Sequence, residues 1–594
     1  MLKYQELIIK SNLMDKDNNI LNPKVKSKSI IEDNQFSAED QPYYSKEKQL
    51  SKDIEALLEY FHSIVEYEQQ QIYKPLHVDS LASKFAVFYE KVRRVIDWKE
   101  EHLIRRTAIE RSLKRRLISK LSGITFLQQV SPDAIAEPFT LELIRSGYFP
   151  NDHISASKIP AVRDALEKYL HVLSFGLTND QVNPVDIKTK VQFYSWLLEI
   201  AACEIEEILA PPLREGGIIN FMSKIISERI EIQCETEINK ETIGLQTYIG
   251  VQKALFTLDS PIISYNIIKY KHPKWITAPK EILEEFTSNI QEIWNEVEQD
   301  LEYEHNSKFY NLCERYDAPY LILYDVLKAE SSNGKNLSEL TNLFSDWKSL
   351  ERKSRDAYNS RISTLKLRLR RSAFYSTLSM FLAGGVMLIF VEGPLATAVY
   401  GSFSLLAMIV DLAIPSLLMF VLVSLINLPG KDNYKYLMEE FYKIVYEQDE
   451  RIFYEIDLKK RRNFIKNLIF GFLYLVGTVL SFGFVFWIFK IAQVPWTSLY
   501  IDTANIAVVV FAALVIKQRS MEVTMEENVK FGEFILDIFS IPLANLGRWL
   551  SNKWKEYNFV SVFFTTVVDL PIVMVIELIE DWRGFLKDKK AGIH

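Results

Sequence analysis

Only three cysteines occur in the 594 residues, Cys203, Cys234 and Cys313. All precede the first long apolar run, and none stands in a CxxC or other metal-ligand spacing. That excludes a disulfide framework and a thiolate metal site, and the three are read as reduced, buried cytosolic thiols. A phosphate-binding glycine loop is also missing. The pair Gly216 and Gly217 has neither the GxxxxGK nor the GxGxxG context and is read as a turn. His102 beside Glu100 and Glu101 lacks HExxH spacing and is read as a surface histidine, so no metal site is assigned. No Ser/His/Asp arrangement or paired-acid motif stands out; no catalytic residue and no cofactor is assigned. Positive charge is not in excess, with 70 Lys and Arg against 77 Asp and Glu and a net charge of -7. This argues against a nucleic-acid partner. The apolar stretch within Met1 to Lys10 is too short for a signal peptide and no cleavage site follows, so insertion into a membrane relies on internal segments.

What is present is helical period and long apolar runs. Residues 1–48, rich in Asn, Asp, Lys and Ser, show no sustained apolar period and are read as a flexible arm. Residues 49–336 read as a helical cytoplasmic domain. Ser51 is an N-cap for a helix carrying Ile54, Leu57, Leu58, Phe61, Ile64 and Val65. A longer helix is expected from Ser80 to Leu121, ending in the basic group Arg111, Lys114, Arg115, Arg116 and Lys120. A solvated helix end that complements the dipole is the plainer reading of that group; contact with an anionic lipid is the alternative. Further helices are expected from Phe139 to Ser146, from Pro160 to Gly176, and from Ile187 to Leu209 before Pro211 and Pro212. In the last of these, Glu204, Glu206 and Glu207 are read as a solvated edge. Ile218 to Cys234, Leu245 to Leu258 and Pro279 to Tyr303 follow as helices, then a short one ending before Pro319 and a polar loop from Ser331 to Asn336.

Residues 337–372 read as a stalk helix, because neither Pro nor Gly interrupts the chain from Leu337 to Leu382. After Arg368, Arg370 and Arg371 comes the uncharged run Ala373 to Val391, about 28 Å at ~1.5 Å per residue, against a hydrocarbon core of ~30 Å. Glu392, Gly393 and Pro394 are read as a turn. The stretch Leu395 to Leu428 is too long for one span and is read as broken by Asp411 and Pro415. It crosses once, either from Leu412 after an interfacial or re-entrant segment or from Leu395 with an inner-face segment following. Residues 373–428 thus hold spans 1 and 2, residues 429–463 a cytoplasmic helical hairpin, and residues 464–516 spans 3 and 4, Leu468 to Phe489 and about Trp496 to Ile516. Residues 517–594 read as amphipathic cytoplasmic helices at the inner surface or packed on the hairpin, with the apolar run Phe559 to Ile576 interrupted by Asp569 and Pro571.

The expected fold is all-α: a helical cytoplasmic domain, a long stalk helix, a four-span membrane domain and an amphipathic C-terminal region. Lys and Arg at the inner ends place both termini in the cytoplasm, in a multi-pass protein of the cytoplasmic membrane. The abundance of Ile, Lys and Asn points to a bacterial one. The first functional expectation is a membrane-anchored interaction or scaffold protein with membrane lipid and a protein partner or a second copy of itself. The second is an oligomeric transporter or channel component using Asp411, Pro415, Asp502 and Asn505, since acids within spans are functional suspects, although a structural role at helix ends accounts for both acids as well. The third is a membrane-associated enzyme acting on lipid. The pairs Gly477 with Ser481 and Ser379 with Ala383 are spaced for close helix approach.

Overall fold

The computed structural model describes residues 49–70, 74–78, 101–118, 131–178, 187–233, 238–276, 280–400, 405–426, 428–429, 432–447, 453–458, 464–491, 496–525 and 531–557, with Leu578, Trp582 and Phe585. The fold is all-α. In chain order come α1 (Lys52–Gln70), α2 (Glu101–Ile118), α3 (Pro132–Arg145), α4 (Ile159–Thr178), α5 (Ile187–Leu209) and α6 (Leu213–Arg229). Strand β1 (Ile230–Gln233) leads to α7 (Lys240–Phe256), α8 (Ser260–Lys271), α9 (Lys280–Ser288), α10 (Ile290–Leu301), α11 (Asn306–Ser332) and α12 (Leu337–Ser345). There follow α13 (Trp347–Met387), a π-helical turn (Leu388–Glu392), α14 (Gly393–Tyr400), α15 (Leu405–Ser424), α16 (Asn433–Val445), β2 (Tyr454–Asp457), α17 (Phe464–Ile491), α18 (Trp496–Ser520) and α19 (Phe531–Tyr557). The expected arm 1–48, the residues before Glu101 in the second expected helix, Cys234 and the run 559–576 lie outside the described residues.

The chain forms two compact units. The first is discontinuous, drawn from Met1–Ile72, Ala210–Ser360 and Lys431–Lys459. Its centre is α11, buried on all sides from Asp317 to Tyr324, with Phe309, Cys313, Ala318, Tyr320, Ile322 and Leu327 each fully buried. That explains how the helix runs through Pro319 instead of ending before it. A proline inside a helix costs about 3 kcal/mol, a loss that packing all round the helix offsets. Helix α7 packs on α11 so closely that a Cβ on Gly250 would stand 3.0 Å from Cys313 Sγ and 3.2 Å from the Phe309 carbonyl. The expected helix from Ile218 to Cys234 instead gives way to β1, which pairs in parallel with β2, Ile230 opposite Tyr454. The second arm of the expected hairpin is therefore a strand. Its partner lies more than two hundred residues away, where no local pattern reveals it.

The second unit contains Tyr73–Leu209, Arg361–Gly430 and Lys460–His594. In its first segment α2 packs on α5, α4 on α3 and α5. In its later segments, α13, α15 and α18 share a core of Ala373, Met419, Val423, Val509, Ala513 and Ile516. A second core joins Val485 and Phe489 of α17, Ile506 and Val510 of α18, and Leu543 and Ala544 of α19. Two stretches, Leu468–Ile491 and Leu499–Ser520, are long and apolar enough to cross a membrane, and Leu412–Ser424 is a shorter apolar helix.

Several local expectations are corrected. The stalk does not run unbroken from Leu337: the chain leaves helical geometry at Asp346 and α13 starts afresh. Asp346 caps it, Oδ1 accepting from the Lys348 N–H at 3.2 Å and Oδ2 from Ser349 Oγ at 2.6 Å, the usual role of Asp at a helix start. Glu392, Gly393 and Pro394 are no turn, because helical bonding continues through them by way of the π segment. Pro394 has no N–H to donate and its ring crowds the carbonyl four residues back; widening the preceding turn relieves the crowding. Helix α15 runs through both Asp411 and Pro415. The C-terminal helix α19 packs along α17 and α18, where a surface position or contact with the hairpin was expected.

The Gly216 and Gly217 pair is not a turn either, since both lie inside α6. A Cβ on Gly217 would collide with Tyr60 Cε1 and stand 2.8 Å from Cδ1, while one on Gly216 would meet nothing within 4 Å. The Tyr60 hydroxyl donates to the Leu213 carbonyl at 3.0 Å, so the ring cannot swing aside without losing that bond. Gly217→Ala is expected to lower stability by about 1–3 kcal/mol through overpacking. Gly216→Ala should raise it by roughly 0.5–1 kcal/mol through helix propensity. Thermal melts of the two purified variants check this; equal shifts would disprove the close approach of α1 and α6.

Candidate functional site

The apolar helices of the second unit carry the acids that the sequence singles out. Asp502 lies on α18 six residues after Trp496 and is 0% exposed. That is beyond the first helical turn, where the dipole and capping act, so stabilisation of a helix end does not account for it. Asn505 is half-buried one turn further on. Pro415 is buried within α15, and Ile414 beside it packs into the core that holds Ile506 and Val510. The structure thus brings the helices bearing Pro415, Asp502 and Asn505 together. Asp411 lies on α15 four residues before Pro415. The bond of the Ser416 hydroxyl to the Leu412 carbonyl, at 2.9 Å, satisfies the hydroxyl locally next to the proline.

A further buried acid was not singled out in the sequence. Glu392 ends the π-helical turn and is 4% exposed, and α14, which begins at the next residue, packs on α18. π-turns within α-helices recur at functional positions. The only signal for it was Gly393 and Pro394, and they had pointed to a loop.

The basic end of α2 meets partners inside the unit. Arg115 and Arg116 both pair with Glu142 of α3, which Ser112 Oγ also approaches at 2.8 Å. Arg111 donates to the Thr107 carbonyl and to the Tyr148 hydroxyl, each at 3.1 Å. Lys114 Nζ lies 2.7 Å from Glu110 and 2.9 Å from Ser195 Oγ. Lys120 lies outside the described residues. Nor are Glu204 and Glu206 of α5 a solvated edge, whereas Glu207 is half-exposed. Glu204, 4% exposed, accepts from Lys168 Nζ at 2.6 and 2.7 Å and from the Tyr169 hydroxyl at 2.8 Å. Glu206 pairs with Arg105 at 3.0 Å. A buried carboxylate survives only when paired and hydrogen-bonded, and the cations that pair these two come from helices distant in sequence.

Between α2 and α5 one carboxyl is held close to neutrality. Burial, reinforced by the nearby charge of Glu110, pushes Glu199 up to about 7, against the lowering effect of Lys114, Arg106 and the Ser195 hydroxyl. Among the described residues no group of three or more His, Cys, Asp or Glu has the arrangement to hold a metal ion. No protein-family description, curated protein or solved structure matches the chain.

The folded chain binds the Glu199 proton more tightly than the unfolded chain, whose value is near 4.5. Its contribution to stability is therefore fully present below about pH 4.5 and falls as pH rises towards 7, by up to about 3 kcal/mol. Glu199→Gln is expected to flatten the decline in melting temperature between pH 5 and pH 8 and to melt higher than the wild type at pH 8. Parallel pH profiles for the two proteins would rule out a neutral Glu199.

Proposed function

We propose that the chain is a multi-pass protein of the cytoplasmic membrane that works as a membrane-anchored interaction protein, presenting its helical first unit to a protein partner or to a second copy of itself. Helix α13 carries this reading. Its first turns place Leu350, Ser354 and Tyr358 in buried positions of the first unit, and further along the same helix Phe374 and Leu382 are 62% and 59% exposed. The chain thus passes, within one helix, from residues buried in the first unit to residues whose apolar side chains are exposed.

Four crossings are supported by the way the apolar helices alternate. Ala373 shares a core with Met419 and Val423, whereas Gly384 meets Leu412 at 3.1 Å from its would-be Cβ, so α13 and α15 run in opposite directions. Met419 and Val423 share a core with Val509, Ala513 and Ile516, and Ile414 and Leu418 pack with Ile506 and Val510, so α15 and α18 run in the same direction. Basic residues collect at one end of the set: Arg361 and Arg368 both reach Glu522, just past α18, beside Lys517 and Arg519, which suits a cytoplasmic side. Leu417, Phe470, Phe472 and Val479 are each more than 60% exposed. Such surface costs about 25 cal/mol per Å² in water, a cost that a bilayer removes. A discrete protein adduct is expected when a photoreactive side chain replaces exposed Tyr436 or Phe453 of the full-length protein in intact membranes. If only lipid adducts appear at both sites, the interaction reading is lost.

A second reading, a transporter or channel component, is favoured by the complete burial of Asp502 on an apolar helix packed against the Pro415 helix. Acids at such positions mark ion or proton paths. Asp502→Asn is expected to lower ion flux through proteoliposomes at least tenfold, with assembly unchanged by size-exclusion chromatography. Undiminished flux would remove Asp502 from any path.

A further inference from the structure

Helices α13 and α18 run in opposite directions and meet where their apolar runs end. Ala373 shares a core with Ala513 and Ile516, and Leu369 packs against it. Further back on α13, Arg361 and Arg368 both reach Glu522. Moving from 373 to 361 on α13 thus moves from 516 to 522, along α18 and just past its end. Lys366, Arg368, Arg370 and Arg371 of the one helix therefore stand level with Lys517 and Arg519 of the other, all within about 8 Å of rise.

Acids do not use up the cations at this level. Glu522 is held by Arg361, which is 16% exposed, whereas Arg368 is 58% exposed and meets Glu522 through one nitrogen at 3.4 Å. Lys366, Arg370 and Arg371 are exposed and, among the described residues, no acid pairs with them. The basic end of α2 is the contrast, since Glu110 and Glu142 take its charges. Leu365, Ser372 and Ala373 of α13 are buried. The opposite side of the helix carries Arg368, Arg371, Tyr375, Leu378 and Leu382, all exposed and spaced three or four residues apart, so they form one stripe. Two guanidinium groups stand at its inner end. From Arg371 to Leu382 the stripe rises about 16 Å, the depth of one leaflet of a ~30 Å hydrocarbon core.

We propose that Arg368 and Arg371 hold the phosphate of an anionic phospholipid in the cytoplasmic leaflet, with one acyl chain lying along Tyr375, Leu378 and Leu382. The proposal rests on the membrane-spanning reading above. Guanidinium forks match phosphate oxygens in pairs, and basic clusters directly before a span attract anionic headgroups. The apolar stripe decides between sources of phosphate: a free phosphate ion leaves it uncovered, whereas a phospholipid covers both parts at once. The neighbouring Lys366, Arg370, Lys517 and Arg519 add a positive field from which a lipid of net negative charge gains and a zwitterionic one does not.

The test is native mass spectrometry of the full-length protein in nonionic detergent, titrated with dioleoyl phosphatidylglycerol or dioleoyl phosphatidylcholine. Phosphatidylglycerol is expected to bind about tenfold more tightly or better. Arg371→Gln, which breaks no ion pair, should weaken its binding roughly threefold or more, and Arg368→Gln with Arg371→Gln should bring the two lipids within about twofold of each other. Lys366→Gln with Arg370→Gln removes the same charge from the other flank of α13 and should keep most of the preference. Equal affinities of the wild type for the two lipids would overturn the proposal. An equal loss in both double variants would overturn it too, since a diffuse field and not this stripe would then attract the lipid. Millimolar inorganic phosphate should not displace the lipid; full displacement would assign the arginines to a free anion. Alkaline carbonate extraction of membranes tests the premise separately. If it releases the protein, the membrane-spanning reading fails and the site with it, whereas a protein that stays in the membrane without a lipid preference loses the site alone.

Discussion

The apolar helices obey one constraint from which much of this structure follows: their backbone N–H and C=O groups have to be satisfied along the helix, because the side chains around them offer no partners. The passage from Met387 to Tyr400 shows how the chain meets it. Gly393 and Pro394 would end a helix in a polar setting. Here the bonding widens to a π-turn and resumes, and Glu392 is buried in the process. Pro415 is accommodated inside α15 and Pro542 inside α19 in the same spirit. Helices that cannot break must bring their polar residues with them, and so Asp502 is buried on an otherwise apolar helix.

Charge in the α2 to α5 group follows a related rule. Glu204 with Lys168 and Tyr169, Glu206 with Arg105, and Glu142 with Arg115 and Arg116 each place an anion where a cation from another helix meets it. Removing one member leaves the other desolvated, which is far more costly than the pair is worth. These contacts specify which helix faces meet. Glu199 is the exception within the seam, pushed up to about 7 by burial first and by the charge of Glu110 second.

Helix α13 has its origin in a domain with buried aromatic contacts, Trp347 against Tyr442 and Tyr446, and continues as an apolar helix antiparallel to α15. Helix α19 closes on α18 at a glycine, Gly547.

The sequence by itself determined the all-helical class, the extent of helices such as α1, α5 and α17, and the two stretches apolar enough to cross a membrane. Those features are encoded in neighbouring residues: the spacing of Ile54, Leu57, Leu58 and Phe61, the stop at Pro211 and Pro212, the uncharged run from Leu468. The spacing of Gly477 and Ser481 also announced a close helix approach, although not that α19 would fill it. Tertiary structure decided the rest. It cut the chain into discontinuous units, paired Ile230 with Tyr454, carried α11 through Pro319, buried Glu204, and laid α19 along α18. Each of these depends on a partner far away in sequence, and the free energy of burying a charge or seating a glycine is set by that partner, which no window of local sequence contains.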